Sequence, residues 1–448
     1  MTISTNANRS LLRVLGMAFS LAVAIGATVG GGIMRMPGEV AAHLPSQGLF
    51  LCAWILGGIN ALLGATVFAE LGAMMPLSGG LYNFTRRAFG DYGGFLVGYS
   101  DWLNQIVSVS LLALVVGEYS RGLLPVLEGE AWHTGLFILI AVTAIQWIGI
   151  RSGSRIQELT TLLKTVALLG LIVSCFVRKP HLVLPQPQAE AVPSGLSLIF
   201  AFILAMQAIL FAYDSYYYVV YYGEELRNPG KEIPRSMFTS LCLIIFIYVM
   251  INLAFLRVLP IQQMAKDPFV AATVAKAVFG ERGELILRIT LIVSILGTMN
   301  AMVLSSSRVL YGLGRDGLFP HQATRVNAGG TPTVSLALST FGSCLFLISG
   351  GFEEVLAAGA LFMAVNYFLS YAALFILRWR EPKTVRPYRA WGYPWTTVIA
   401  IILILVFFAG RIISDTSHSF LTLAVLVTTA PIFFVWKRFA MVRSELPK

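Results

Sequence analysis

Three short stretches carry residue types that are chemically out of place in the apolar segments around them. The first is "GATVGGGI", Gly26 to Ile33, in which four of eight residues are glycine. Glycine in a helix interior costs about 1 kcal/mol relative to alanine, so this stretch marks a place where a helix can come apart. Consecutive glycines leave amide N–H groups open to a ligand, and the start of the next half-helix favours an anion. A carboxylate is the natural guest; close helix packing through small residues is the other reading. The second stretch is "FAYDSYYY", with Asp214 inside it. A carboxylate at such a position could neutralise a substrate ammonium, bind a cationic side chain or carry a proton. It could equally cap a restarting helix or bond locally, since Asp accepts N–H bonds at a helix start. The third is "ELTTLLKTVALLGLIV", where Lys164 is a desolvated base, able to give up its proton or to snorkel as a structural lysine.

Other chemistries fare poorly. The chain has no H-E-x-x-H, G-x-S-x-G or P-loop pattern, and His43, His133, His181, His321 and His418 are scattered over span ends and loops. The reading is therefore not an enzyme, and no cofactor or metal is expected. The cysteines, Cys52, Cys175, Cys242 and Cys344, fall inside apolar spans without metal-ligand spacing, which reads as core packing. A channel needs a continuous polar pore lining, whereas two broken helices point to a site that closes.

The elements that must position these residues are membrane spans. Of 448 residues 57% are hydrophobic and 12% charged, a balance no soluble domain carries without large exposed apolar patches. Runs of about 20 apolar residues, enough to cross a hydrocarbon core of about 30 Å, recur twelve times: roughly 14–42, 47–72, 92–120, 132–150, 158–177, 195–223, 236–256, 283–312, 333–350, 355–377, 394–411 and 418–436. The net charge of +10 is explained by its distribution rather than by nucleic acid. With the N-terminus cytoplasmic, 21 of the 32 basic residues, from Arg9 and Arg13 through Arg308 and Arg315 to Lys448, fall on the cytoplasmic side and 9, among them Lys179, Lys276 and Arg288, on the other. Positive residues stay inside, so both termini are expected in the cytoplasm. Residues 1–13 lack a signal cleavage pattern, and the segment after them is expected to remain as the first span. No connector is long enough for a soluble domain, so a single transmembrane domain over 1–448 is expected.

Spans 1 and 6 are the two candidates for interruption, and five spans separate them. That is the spacing of an inverted five-plus-five repeat, with spans 1–5 over 14–177, spans 6–10 over 195–377 and peripheral spans 11–12 over 394–436. In such repeats the discontinuous first helices meet at the bilayer midplane and form the substrate site. Unwound backbone at membrane depth is tolerated only where it lines a cavity or meets another polar group.

The chain resembles the amino acid/polyamine/organocation superfamily. The resemblance is carried in order by "VGGGIMRMPG", "AELGAMMPLSGGLYNFTRRAFG", "FAYDSYYYVVYYGEELRNPGKEIPRS" and "SSSRVLYGLGRDGLFP", and within the superfamily it is closest to bacterial amino acid permeases and the light subunits of heteromeric exchangers. It implies an all-α polytopic LeuT-type fold of twelve transmembrane helices, with helices 1 and 6 discontinuous. It also implies that the Gly31 and Gly32 amides receive a substrate carboxylate and the Thr28 carbonyl faces the amino group. The carbonyls of Phe211, Ala212 and Asp214 would receive the ammonium, with the Phe211 ring as a gate. Lys164 matches a lysine that, in sodium-independent members, lies where sodium sits in sodium-coupled relatives.

The chain departs from many relatives in placing Asp214 and Ser215 where two small residues follow "FAY". Of the six tyrosines between 213 and 222, Tyr216 and Tyr217 directly follow the break and are the expected pocket residues, the rest packing. Glu70 and Asp101 are expected to pair with Arg86 and Arg87, and Arg35 with Glu39 four residues on. The resulting expectation is a secondary active transporter of L-amino acids in a cytoplasmic membrane, working by alternating access through sodium-independent exchange or proton symport. Its partners are an amino acid, the lipid bilayer and, in the symport case, protons. A polyamine or other organic cation transporter is the runner-up, and a non-transporting amino acid sensor the remaining class.

Overall fold

Apolar stretches of this length have no water to bond their backbone within a bilayer, so they satisfy it internally as helices. The computed structural model describes residues 10–445 other than 122, 124–128, 179–192, 268, 281, 350, 351 and 415, and their side chains other than those of 284, 352–358, 360, 414, 417, 418, 421 and 439–445. Arg9, Lys179, His181 and Lys448 lie outside the described residues, as does the side chain of His418.

Among the described residues the chain forms sixteen α-helices and no strand. They are α1 (Met17–Thr28), α2 (Gly31–His43), α3 (Gln47–Met74), α4 (Tyr82–Phe89), α5 (Asp91–Ser120), α6 (Ala131–Ile148), α7 (Ile150–Val177) and α8 (Leu196–Tyr213). After α8 come α9 (Pro229–Val258), α10 (Ile261–Met264), α11 (Val270–Phe279), α12 (Arg282–Arg315), α13 (Thr333–Ser349), α14 (Phe352–Arg380), α15 (Trp395–Ser414) and α16 (Thr416–Glu445). Nine of the described helices are long and apolar enough to cross a membrane, and α1 with α2, bent by 40° at their break, makes a tenth span. The connectors are more ordered than their sequence implies: α4 lies in the turn after α3, and α10 and α11 occupy the stretch after α9.

Packing divides the helices into two groups. The long helix α5 packs against α6, α12, α13 and α14, while α1, α2, α3, α8 and α9 pack on one another, and α7 touches both groups through α1, α9 and α12. Small residues let these backbones approach. A Cβ on Gly64 of α3 would collide with the hydroxyls of Tyr216 and Tyr371, so an aromatic cluster fits against this face only because the side chain is absent.

Polar contacts close the end of the bundle where α4 lies. Arg315, the last residue of α12, bonds the Tyr82 hydroxyl at 2.8 Å and Asn83 Oδ1 at 3.0 Å, and pairs with Glu224 and with Asp316. Arg86 pairs with Asp316 at 2.9 Å and Asp91 at 3.0 Å. Arg308, counted above among the cytoplasmic-side charges, is fully buried within α12, where it forks onto the fully buried Glu225 at 3.1 and 2.9 Å. The periodicity of an apolar span cannot distinguish a charge at its rim from one neutralised inside by a distant segment.

Candidate functional site: two facing helix breaks

The first break is short. α1 stops at Thr28 and α2 begins at Gly31, with Val29 and Gly30 in extended conformations between them. A helix end leaves carbonyls without intrahelical partners, and here two of them converge on Lys164. Its ammonium donates to the Gly26 and Val29 carbonyls, each at 2.7 Å, and to the Ser294 carbonyl of α12 at 3.1 Å. An ammonium has three donors and no acceptor, so the set is complete, and the side chain is fully buried. Hydroxyls complete the same ring: Ser294 Oγ donates to Val29 O at 3.2 Å, and Thr298 Oγ1 to Gly26 O at 3.1 Å.

On the other side of the break the two glycines differ. A Cβ on Gly31 would meet nothing within 4 Å, whereas one on Gly32 would lie 3.2 Å from the Ala212 Cα. Both residues occupy the first turn of α2, whose amides have no intrahelical acceptor. Gly31 thus faces open space, and Gly32 lets α2 touch the end of α8. Thr28 is 6% exposed, and its buried hydroxyl has no hydrogen-bond partner among the described residues.

The second break follows Tyr213, where α8 ends. Asp214 is extended, Ser215 takes a left-handed φ of 75°, and the chain passes through turns into a 3-10 helix, Tyr218–Tyr221. No second α-helical half follows, so Asp214 does not cap one. Its carboxylate accepts from the Tyr367 hydroxyl at 2.5 Å and from Ser215 Oγ at 3.2 Å. Beside it is a cavity of about 20 Å³ lined in part by Asn60, Tyr216, Tyr367 and Tyr371, room for roughly one water. Tyr216 and Tyr217 are buried against Phe68, at ring-centroid distances of 6.1 and 4.9 Å. The Phe211 side chain is 54% exposed.

One residue joins the breaks. The Tyr248 hydroxyl of α9 lies 3.0 Å from the Thr28 carbonyl and 2.8 Å from the Ala212 carbonyl. It was missed in the sequence; the available signal was a lone tyrosine in the aliphatic run "LIIFIYVMINLAF". A carbonyl oxygen has two lone pairs, so both can accept a further donor.

The model of a family described as amino acid permease matches residues 10–434. The chain belongs to this amino acid permease family. The permease is 28% identical to the serine/threonine exchanger SteT of Bacillus subtilis, over 96% of this chain and 98% of that protein. It is 26% identical to the large neutral amino acids transporter small subunit 2 of Mus musculus and 27% identical to the Asc-type amino acid transporter 1 of the same species. Both matches cover 95% of this chain and 81% of the relative. These relatives are transporters, in keeping with the expectation that the chain is not an enzyme.

Other sequence expectations change. Glu70 and Asp101 do not pair with Arg86 and Arg87. Glu70, fully buried in α3, is held by Arg378 of α14 at 2.9 and 2.5 Å, by Arg386 at 3.0 Å and by the Ala390 amide at 2.6 Å. Arg87 turns to Glu381 instead, at 3.0 and 2.6 Å. Asp101, also buried, accepts from the Tyr221 hydroxyl at 2.7 Å and from Gln105 Nε2 at 3.1 Å. Neighbours in sequence were the wrong partners because α14 and the 3-10 segment, far along the chain, pack nearer. Arg35 and Glu39 are both exposed, with no bond between them among the described residues. Of the cysteines Cys175 is buried and Cys344 partly so, but Cys52 and Cys242 are exposed, because a span's outer face is apolar without being core.

Proposed function

We propose that the permease is a secondary active transporter of L-amino acids in a cytoplasmic membrane, working by alternating access around the two breaks. The observation that carries the reading is the meeting of the two breaks: the glycine-opened α2 start packs at Gly32 against Ala212 at the end of α8, and Tyr248 bridges the end of α1 to the same Ala212. It supports the amides of Gly31 and Gly32 as the carboxylate site, and the carbonyls of Thr28, Phe211, Ala212 and Asp214 as the ammonium site. In this reading Phe211 is the gate, and Tyr216 and Tyr217 line the pocket. The chain crosses twelve times, as two inverted repeats over 14–177 and 195–377 with peripheral spans over 394–436, and both termini are cytoplasmic.

Lys164 supports sodium independence: an ammonium on three carbonyls does the bridging that a bound sodium ion would otherwise do between α1 and α12. Exchange and proton symport both fit this arrangement. A second reading, an organic cation carrier, is favoured by one observation: the Asp214 carboxylate is held by hydroxyls and by no basic side chain among the described residues. The open amides of α2 favour a guest with a carboxylate.

A thermal-shift screen of purified protein against the proteinogenic amino acids and common polyamines tests the class, since a ligand at 100 times its Kd adds about 2.7 kcal/mol. Uptake and exchange of the hits in proteoliposomes then separate a transporter from a sensor. Stabilisation by polyamines alone would overturn the amino acid reading, and binding without flux would overturn transport.

A further inference from the structure

A second recess lies outside the two breaks. It has a volume of about 460 Å³ and is formed by the end of α5, by α11 and by the first turns of α12. Small-molecule sites are concavities of roughly 300–1,000 Å³ with apolar walls and a few convergent polar groups, and this recess has that composition. Phe269, Leu287 and Leu291 supply the apolar wall, with Glu118, Lys276 and Arg288 around it. Tyr119, also in the lining, packs at a tilt against Phe269 with ring centroids 5.9 Å apart. The Arg288 guanidinium is steadied by donation to the Arg121 carbonyl at 2.7 Å.

Charges of both signs beside an apolar wall match one kind of small molecule: a zwitterion with an apolar side chain. Lys276 and Arg288 attract its carboxylate and Glu118 its ammonium, while Phe269 and the two leucines cover the side chain. The position adds a direction. α5 begins at Asp91, among the ion pairs of Arg86, and Glu118 is 27 residues further along it, about 40 Å at 1.5 Å per residue. The recess is thus at the opposite end of the bundle from that charged closure. α11, which lines the recess, packs against α2, the helix that begins at Gly31. The recess and the open amides are therefore on adjoining elements.

We propose that this recess is an entry site, binding the same zwitterionic amino acids before they reach the glycine break; the proposal rests on the amino acid reading above. Occupancy of both sites gives two bound amino acids per chain at saturation, and loss of the recess slows loading of the central site without altering it.

The test is equilibrium dialysis of the full chain in detergent with each of the proteinogenic L-amino acids, radiolabelled. For those that bind, the wild-type chain should hold two equivalents. Gly31→Val should keep one, since its added atoms enter open space and the fold survives, and Gly31→Val with Lys276→Gln and Arg288→Gln should keep none. With the central site intact, Arg288→Gln should raise the uptake KM several-fold and leave kcat unchanged. One equivalent in wild type, abolished by Gly31→Val, would overturn the entry site and leave the central reading standing. Two equivalents unaffected by the Lys276 and Arg288 changes would also overturn it. No binding of any amino acid would instead remove the central reading, and the entry site with it.

Discussion

The Lys164 ammonium sits 2.7 Å from the carbonyl of Val29, the first residue beyond the end of the first helix. The contact couples a side chain on α7 to the unwound point of α1.

Lys164→Met should therefore impair both stability and transport. It removes the ammonium but leaves Gly26 and Val29 with only the Thr298 and Ser294 hydroxyls as partners, and under-satisfied buried acceptors cost about 1–3 kcal/mol. Lys164→Arg should not rescue it, because a planar guanidinium cannot direct three donors as an ammonium does. Wild-type uptake should be unchanged when potassium or choline replaces sodium. A strict sodium requirement in proteoliposomes would remove the tethered-cation role.

The neighbouring glycines should respond differently to the same change. Gly31→Val adds atoms where nothing lies within 4 Å, so the fold should survive while carboxylate binding is lost. Gly32→Val drives a branched side chain at the Ala212 backbone, 3.2 Å from the first added carbon, and should lower the melting temperature as well. Normal uptake kinetics for Gly31→Val would refute the amide site.

Asp214→Asn keeps an acceptor for the Tyr367 hydroxyl, so the variant should fold and bind neutral amino acids within a few-fold of wild type. Any binding of lysine, arginine or polyamines should fall by about 2–5 kcal/mol, the cost of removing one partner of a desolvated charge pair. Isothermal titration with one neutral and one cationic probe measures both. Equal losses for the two would show that the carboxylate does not read substrate charge. Intact binding and exchange with loss of uptake driven by a pH gradient would assign it a proton.

Arg308→Met should destabilise the protein by about 3–5 kcal/mol, because it leaves the Glu225 carboxylate buried without its partner. Arg308→Met with Glu225→Gln should recover part of that loss. Melting temperatures in detergent compare them, and a double variant no more stable than the single would contradict the pair's isolation.

Membrane class, helix positions and the locations of both breaks were legible from the sequence, because each depends on local chemistry. An apolar run of about 20 residues forms a helix in lipid whatever surrounds it, and the glycines at 30–32 weaken one wherever they stand. The family motifs were legible for the same reason. Partners were another matter. That Glu70 would meet Arg378 and Arg386, that Arg308 would be neutralised inside by Glu225, and that Tyr248 would bridge Thr28 to Ala212 all depend on segments dozens to hundreds of residues apart. The segment after Asp214 also escaped the sequence reading: it folds as turns and a 3-10 helix because its tyrosines pack against Phe68, Tyr367 and one another. Hydropathy records how much a residue gains by leaving water. It says nothing of which distant chain segment will be there to receive it, and only the packing of the helices decides that.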